Sequence, residues 1–348
     1  MDLILKPTEA CNFHCTFCSS TNISPEHTKV LDLKSVDQFL SRFPDTQTII
    51  INGGDPLMVP PSYYFELINI LEKHNLNIPI SLTTNMWAYY KKPSMWREVF
   101  THPNIHIGTS FNYGNTRLIT PTQPLTEEIF KDICYMFQSD FGHIPDFISV
   151  ITDENEDTAI DNVMLAKELD VVCKLNYAMM SGAQSTPYML GKIYRTYVEI
   201  YYRGLMNWEY NTQQLVRRLS KGNTTCPQNR TCDSGIRCLQ PAGNYFSCGA
   251  FGDDGEYEID FEKEMSGPLI LPLNDPQLFS LKTDCISCAL FDICNGCKKT
   301  IKDMKSQGPQ YVEQHCSIMK GLEIHILTMN GIKATTESKA NQIPFVHL

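Results

Sequence analysis

Three cysteines stand close together near the start of the 348-residue sequence, in the stretch ACNFHCTFCSS. The spacing of Cys11, Cys15 and Cys18 lets a single loop point three sulfurs at one metal centre. Three thiolates can hold three irons of a four-iron cluster and leave the fourth iron without a ligand from the chain. An open coordination position is typical of a catalytic metal site. The triplet therefore predicts an iron–sulfur centre that does chemistry.

The sequence contains 14 cysteines in all, and most of the others lie towards the carboxyl terminus. Nine fall between Cys226 and Cys316, among them the pairs CISC and CNGC, which form the spacing C-x2-C-x5-C-x2-C from Cys285 to Cys297. Such pairs place two sulfurs on one metal. Zinc is the alternative, but zinc pairs usually stand further apart and one tetrahedral site needs only four ligands. The pattern favours iron–sulfur clusters.

Composition limits the class of protein. The formal net charge of −10 and the isoelectric point near 5.4 disfavour a nucleic-acid-binding surface. The first residues do not resemble a secretory signal, and no run of eighteen apolar residues predicts a membrane span. We therefore expect a cytoplasmic protein with reduced thiols, and the alternative of a disulfide framework is disfavoured.

Alternating apolar runs and amphipathic segments predict a parallel α/β sheet. The predicted strands are 3–6, 48–52, 78–84, 104–111, 145–152 and 171–179, and the predicted helices are near 33–43, 62–74, 94–100, 125–138 and 158–169. Six strand–helix units fit a partial barrel better than a closed eight-stranded one. The cysteine triplet follows the first strand, at the edge where such folds place their chemistry.

With these motifs the sequence resembles the radical S-adenosylmethionine superfamily. The resemblance rests on the C-x3-C-x2-C loop with Phe17 before its last cysteine, and on NGGDP (52–56) after the second strand. It implies a partial (β/α)6 TIM-type barrel and a [4Fe–4S] cluster whose open iron binds S-adenosylmethionine. Reductive cleavage of that cofactor would give a 5′-deoxyadenosyl radical that abstracts a substrate hydrogen.

The resemblance also implies which side chains bind S-adenosylmethionine. The backbone of the glycine pair would meet the methionine amine, Ser110 would bind the ribose, and Arg117 would pair with the carboxylate. Two positions depart from the family pattern, since Asp55 replaces the commoner Glu and Asn112 the usual Asp. The full predicted set is Phe17, Gly53, Gly54, Asp55, Thr84, Asn85, Ser110, Asn112 and Arg117.

The later cysteines resemble the SPASM extension of this superfamily, which carries two auxiliary [4Fe–4S] clusters. By that resemblance, one cluster takes Cys232, Cys238, Cys248 and Cys297, and the other takes Cys285, Cys288, Cys294 and Cys316. Cys226 is an alternative to Cys232. Cys134 and Cys173 are then left as buried small hydrophobic residues. CNGC has two residues between its cysteines where family members usually have three.

These features predict four parts: a barrel (1–189), a helical bridge (190–223), the SPASM domain (224–320) and a tail (321–348). The resemblance implies oxidative modification of a ribosomal peptide or protein side chain, with a flavodoxin- or ferredoxin-type reductant. Because Cys11 comes so early, we expect a separate leader-peptide-binding protein or a groove on the barrel. Gly249 stands where the related sulfatase-maturing enzymes have an acidic base, so the catalytic side chains are not assigned. The alternatives are a small-molecule dehydrogenase and an electron-transfer protein without radical chemistry.

Overall fold

The computed structural model describes residues 1–20, 29–220 and 232–329. Its strands are β1 Asp2–Leu5, β2 Thr48–Ile51, β3 Ile80–Thr83, β4 Ile105–Ser110, β5 Leu118–Thr120, β6 Gln123–Pro124, β7 Phe147–Ile151, β8 Cys173–Tyr177, β9 Ile236–Leu239 and β10 Tyr245–Phe246. The helices up to residue 220 are α1 Lys34–Arg42, α2 Pro61–Lys73, α3 Trp87–Lys91, α4 Pro93–Phe100, α5 Glu127–Phe141, α6 Ala159–Leu169, α7 Leu190–Tyr202 and α8 Tyr210–Leu219. We call residues 232–329 the cysteine-rich half, and its helices are α9 Cys232–Gly235, α10 Gly249–Asp254, α11 Phe261–Ser266, α12 Phe291–Cys294, α13 Lys298–Ser306 and α14 Pro309–Thr328.

Eight of these strands form one sheet in the order β10-β9-β1-β2-β3-β4-β7-β8. All neighbouring pairs are parallel except β9 and β10. The six predicted strands correspond to β1, β2, β3, β4, β7 and β8, with helices in the connections as parallel pairing requires. The predicted α/β barrel architecture is confirmed.

Two strands of the sheet come from the cysteine-rich half, which the sequence analysis did not anticipate. β9 pairs in parallel with β1, so that Asp2 lies opposite Ile236 and Leu5 opposite Leu239. The predicted division near residue 224 therefore separates segments that share one sheet. The predicted boundary at 320 also falls inside α14, so residues 321–328 continue that helix.

The sheet has two apolar faces because side chains alternate along each strand. Leu3 and Leu5 of β1 point into the main core shared with the helices. Ile4 points to the other side, where it packs with Ile50 and Cys238. This second face is the inner face of the barrel, and it carries the residues that reach the carboxyl edge of the sheet.

The far edge of the sheet is capped by a buried carboxylate. Glu209, at the start of α8, accepts hydrogen bonds from the amides of Leu175, Asn211 and Thr212 at 2.9, 3.0 and 2.6 Å. It thereby satisfies an amide of β8 that has no further strand to pair with, and it begins a helix at the same time. The capped edge explains how the barrel can stay open there.

No helix among the described residues combines the length and apolar character that a membrane crossing needs.

Candidate functional site

The three N-terminal cysteines lie on the loop that leaves β1 at the carboxyl edge of the sheet. Backbone hydrogen bonds hold this loop against the segment that follows β4. The amide of His14 donates to the Leu118 carbonyl at 2.8 Å, and the amide of Thr16 donates to the Thr116 carbonyl at 2.9 Å. The cysteine loop and the segment carrying Arg117 are therefore one connected unit.

A third segment, after β8, covers the end of the cysteine loop. The amide of Ala183 donates to the Cys18 carbonyl at 2.9 Å, and the Ser181 hydroxyl donates to the Ser19 carbonyl at 3.0 Å. Gly182 has φ of +58°, and a Cβ there would stand 2.3 Å from the Cys18 oxygen. This cover was not predicted from the sequence, where its signal is the serine–glycine turn that follows a strand.

The three thiols lie close enough for each to affect the charge of its neighbours. Burial raises the pKa of Cys11 to about 12, and the charges of Asp55, Cys15 and Cys18 also raise it. Burial raises the pKa of Cys18 to about 11, and Cys15 contributes to that shift too. Thiolates in this setting need a nearby cation, which a metal centre would supply.

Arg117 is a buried cation beside the cysteine loop, with 7% of its surface exposed. Its guanidinium donates to Asn112 Oδ1 at 3.1 Å and to Ser110 Oγ at 3.0 Å, and it lies 5.0 Å from the centre of the Phe17 ring. Among the described residues no carboxylate pairs with it. Burial lowers the pKa of Arg117, and the neighbouring Cys15 opposes that shift. The site is thus suited to an anionic group, and four predicted cofactor-binding residues meet there.

The two glycines after β2 pack against the chain that enters the cysteine loop. A Cβ on Gly54 would lie 2.2 Å from the Ala10 carbonyl oxygen, and one on Gly53 would lie 2.6 Å from that of Thr8. Gly53 also has φ of +127°, which favours glycine. The resemblance to the family implies that these glycines let a cofactor approach. The structure gives a further reason for them, since the backbone of the protein itself already makes this close approach.

Asp55 joins the ends of β2 and β3. It is buried, and its carboxylate accepts hydrogen bonds from the amides of Leu57 and Asn85, at 2.9 and 2.8 Å, and from the hydroxyl of Thr84 at 2.9 Å. Burial raises the pKa of Asp55 to about 6, although these hydrogen bonds act to lower it. Asn85 then reaches the cysteine loop, where its Nδ2 lies 3.9 Å from Cys11 Sγ. The side chain of Asp55 therefore positions the predicted cofactor-binding residues Thr84 and Asn85.

One predicted auxiliary set is brought together by the structure. Burial raises the pKa of Cys294, and the charges of Cys288, Cys316 and Cys285 add to the shift. Burial also raises the pKa of Cys316, with Cys285 the next contribution. Four cysteines from three separate segments thus converge, as four thiolate ligands of one cluster must.

The cysteines of the other predicted set lie along the β9–β10 hairpin and α13. Cys238 is on the inner face of β9, Cys248 directly precedes α10, and Cys297 directly precedes α13. Cys232 begins α9, while Cys226 lies outside the described residues. Their grouping on one cluster stays a prediction. Cys134 and Cys173 are fully buried, in α5 and β8.

Two neighbouring aspartates on α10 tie the cysteine-rich half to the barrel. Asp253 forms a buried ion pair with Lys6, which follows β1. Asp254 lies 2.9 Å from the Nζ of Lys299 in α13, and that Nζ also donates to the Met180 carbonyl at 2.8 Å. These contacts were not predicted, because nothing in the sequence pairs residues so far apart.

The sequence model of the Radical SAM superfamily matches residues 5–180, half of the chain. The matched range contains the cysteine loop, the Gly53–Asp55 segment and Arg117. The chain belongs to the radical SAM superfamily. The S-adenosylmethionine and [4Fe–4S] cluster of that superfamily fit the convergent thiols and the unpaired buried arginine described above.

Curated relatives of this radical SAM protein include GTP 3′,8-cyclases. The chain is 28% identical over 99 residues to the enzyme of Photorhabdus laumondii and 25% identical over 159 residues to that of Vibrio atlanticus. The matches cover 28% and 44% of this chain, and 30% and 46% of those relatives. The chain thus spans less than half the length of the curated relatives it matches.

Solved structures of similar fold cover far more of the chain. Native anSMEcpe with bound AdoMet and Cp18Cys peptide superposes with a TM-score of 0.70 at 15% identity, covering 95% of this chain and 99% of that one. Streptococcus suis SuiB bound to its precursor peptide SuiA gives a TM-score of 0.57 at 16% identity, covering 85% and 71%. At these identities the similarity shows a shared fold.

Proposed function

We propose that this radical SAM protein oxidatively modifies a side chain of a ribosomal peptide or protein, forming a crosslink or removing hydrogen. The observation that carries the proposal is the convergence of Cys285, Cys288, Cys294 and Cys316 beyond the barrel. A second iron–sulfur site can accept the electron that the substrate loses when it is oxidised. The structural neighbours anSMEcpe and SuiB, both described with bound peptides, support the substrate class.

Cys11, Cys15 and Cys18 would hold the cluster that binds S-adenosylmethionine. When bound, this pair of cofactors supplies a 5′-deoxyadenosyl radical that can take a hydrogen atom from the substrate. Arg117 would bind the cofactor carboxylate, because a guanidinium forms paired hydrogen bonds with such a group. The segment that includes Gly182 covers the cysteine loop and would help to exclude water.

The remaining cysteine ligands would hold two auxiliary clusters, which supply an electron acceptor. We assign Cys285, Cys288, Cys294 and Cys316 to one and Cys232, Cys238, Cys248 and Cys297 to the other. A flavodoxin- or ferredoxin-type protein would supply the reducing electron. A separate protein, or a groove on the barrel, would bind a leader peptide.

A small-molecule substrate is the second candidate. The observation in its favour is that the curated relatives named above are GTP 3′,8-cyclases. Those matches cover under half of the chain, whereas the fold of peptide-bound anSMEcpe matches 95% of it.

The test is to incubate the anaerobically reconstituted protein with S-adenosylmethionine, a reductant and a synthetic peptide encoded by a short open reading frame beside the gene. We expect 5′-deoxyadenosine and a peptide that has lost two hydrogens by mass spectrometry. GTP and small alcohols serve as the alternative substrates. Turnover of these with every peptide unchanged would contradict peptide modification.

A further inference from the structure

Three polar side chains stand in a row at the carboxyl ends of β9, β1 and β2. The register of these strands places Gln240, Lys6 and Asn52 at the same level, each one residue beyond a paired strand position. All three continue the inner-face alternation of Ile4 and Cys238. The row therefore lies at the mouth of the barrel, beside the cysteine loop.

At one end of the row both polar atoms of the Asn52 carboxamide are buried without hydrogen-bond partners among the described residues, and at the other end the carboxamide nitrogen of Gln240 is. Lys6, between them, is occupied by its ion pair with Asp253. Buried amide groups are nearly always satisfied in native proteins, so two unsatisfied ones in a row indicate that a ligand completes them.

The chemistry of the row defines the ligand. The carboxamide of Asn52 has both its donor and its acceptor open, so it is complementary to another amide, which offers one of each, while the open donor of Gln240 is complementary to a carbonyl oxygen. Adjacent strands lie about 4.8 Å apart, so Gln240 and Asn52 stand about 10 Å from one another. An extended chain covers that distance in about three residues, at about 3.3 Å per residue.

We propose that Asn52 and Gln240 bind the backbone amides of an extended peptide substrate across the barrel mouth. This inference rests on the peptide-modifying function proposed above and adds the residues that hold the peptide. The amide of Asn52 pairs with one peptide unit, and Nε2 of Gln240 donates to a carbonyl about three residues away. The reacting side chain then lies beside the cysteine loop.

Helix α10 controls access to this row. A Cβ on Gly252 would stand 2.4 Å from Nε2 of Gln240, so the helix backbone lies directly over that carboxamide. The next residue, Asp253, holds the helix in place through Lys6. Because the unpartnered atoms do not reach solvent here, α10 must move away from Gln240 when the peptide enters.

The experiment uses a peptide that is almost all backbone, N-acetyl-tetraglycine N-methylamide. Its dissociation constant is measured by ligand-observed NMR on the reconstituted holoenzyme with S-adenosylmethionine. We expect Asn52→Leu and Gln240→Leu each to weaken binding about tenfold or more, the effect of a lost buried hydrogen bond. An analogue with its central amides replaced by esters should bind less tightly to the wild type.

Asn104→Leu is the matched control, since Asn104 lies at the opposite end of the sheet, where its amide bonds to Asn77 at 2.8 Å. Iron content and thermal midpoint show whether each variant is folded, and Asn52→Asp replaces Asn52→Leu if the latter does not load iron. Unchanged binding in both variants, or no binding to the wild type, overturns the inference. So does weaker binding of S-adenosylmethionine alone in Asn52→Leu, which would make Asn52 a cofactor contact.

Failure of this inference can be separated from failure of the proposed function. A wild-type protein that modifies peptides but does not bind the tetraglycine probe overturns the assignment of the row only. A protein that binds the probe but forms no 5′-deoxyadenosine overturns the proposed function and leaves a peptide-binding site.

Discussion

At the scale of single residues, Asp55 is the group on which the geometry around the cysteine loop depends most. Its carboxylate accepts hydrogen bonds from residues that follow β2 and β3. In Asp55→Asn, the new amide would turn an NH2 group towards groups that are themselves donors. We expect a loss of about 2–3 kcal/mol in stability, since bonds to a charged acceptor are the stronger kind.

The measurement is the thermal midpoint and iron content of Asp55→Asn after anaerobic reconstitution. Asp37→Asn is the control, because Asp37 forms an exposed ion pair with Lys73 whose loss costs little. Equal midpoints and iron contents for the two variants would show that Asp55 has no such role.

Arg117 permits a prediction about cofactor affinity. Arg117→Lys keeps the positive charge but removes the planar guanidinium, which donates hydrogen bonds to Ser110 and Asn112 and lies against the Phe17 ring. We expect S-adenosylmethionine to bind about tenfold more weakly, measured by equilibrium dialysis with the reconstituted protein. Arg97→Lys, at an exposed ion pair with Asp140, should bind as the wild type does. Unchanged affinity in Arg117→Lys would remove Arg117 from the cofactor site.

At this scale the predictable residues are those with a characteristic spacing. The spacing of the cysteine triplet predicts a metal site, and the structure brings Ser110, Asn112, Arg117 and Phe17 to one place. The ion pair of Lys6 with Asp253 could not be predicted, because a contact across 247 positions leaves no periodic signal. Gly54 was expected to contact the cofactor, whereas the atoms nearest to it belong to the backbone of the protein itself.

At the scale of secondary-structure elements, the packing of α7 on α14 holds the auxiliary cysteine region against the barrel. Gly191 of α7 allows the close approach, since a Cβ there would lie 2.9 Å from Cγ2 and 3.1 Å from Cβ of Ile318. Both atoms are near the backbone of α14 and cannot swing away. We expect Gly191→Ala to lower stability by about 1–3 kcal/mol, the usual effect of overpacking.

Gly321→Ala is the matched control for Gly191→Ala, because it lies on α14 with nothing within 4 Å of the added Cβ. A helix gains up to about 1 kcal/mol from such a change. Thermal midpoints of the two variants should therefore move in opposite directions. A rise in both would show that the two helices can separate at no cost.

The elements themselves were predicted well where they repeat locally. The alternation of apolar strands and amphipathic helices between residues 2 and 180 correctly predicted the six strands β1, β2, β3, β4, β7 and β8. β9 and β10 were missed because they are short and are strands only through pairing with β1 and with each other. Nothing in the sequence of residues 2–5 indicates that β1 also pairs with β9, more than 230 residues further along the chain.

At the scale of the whole molecule, a buried ion pair holds α11 against β9 at a point where α11 also contacts α1. Arg237 of β9 donates to both oxygens of Glu264, at 2.9 and 2.8 Å, and both side chains are fully buried. Arg42 of α1 in turn donates to the Glu264 carbonyl at 3.3 Å. Arg237→Met would leave a buried carboxylate unpaired, and we expect a loss of about 3–5 kcal/mol.

The same pair predicts a pH dependence. Burial alone would raise the pKa of Glu264, but the bonds from Arg237 lower it below its usual value. A depressed carboxyl pKa contributes stability above the unfolded-state pKa, and that contribution is lost as the pH falls. Unfolding midpoints from pH 7 down to pH 3 should fall more steeply for the wild type than for the double variant Arg237→Met/Glu264→Gln. Parallel curves would contradict the assignment.

The central claim is that Cys11, Cys15 and Cys18 hold a cluster that cleaves S-adenosylmethionine. The most direct measurement compares iron content and 5′-deoxyadenosine formation in the reconstituted wild type, in a variant with all three cysteines changed to Ala, and in Cys134→Ala as the control for a buried cysteine. Three four-iron clusters give about twelve irons per chain. We predict that the triple variant loses about four of them and all 5′-deoxyadenosine, while Cys134→Ala keeps both. A fully loaded wild type that forms no 5′-deoxyadenosine, or a triple variant that retains the activity, would contradict the account.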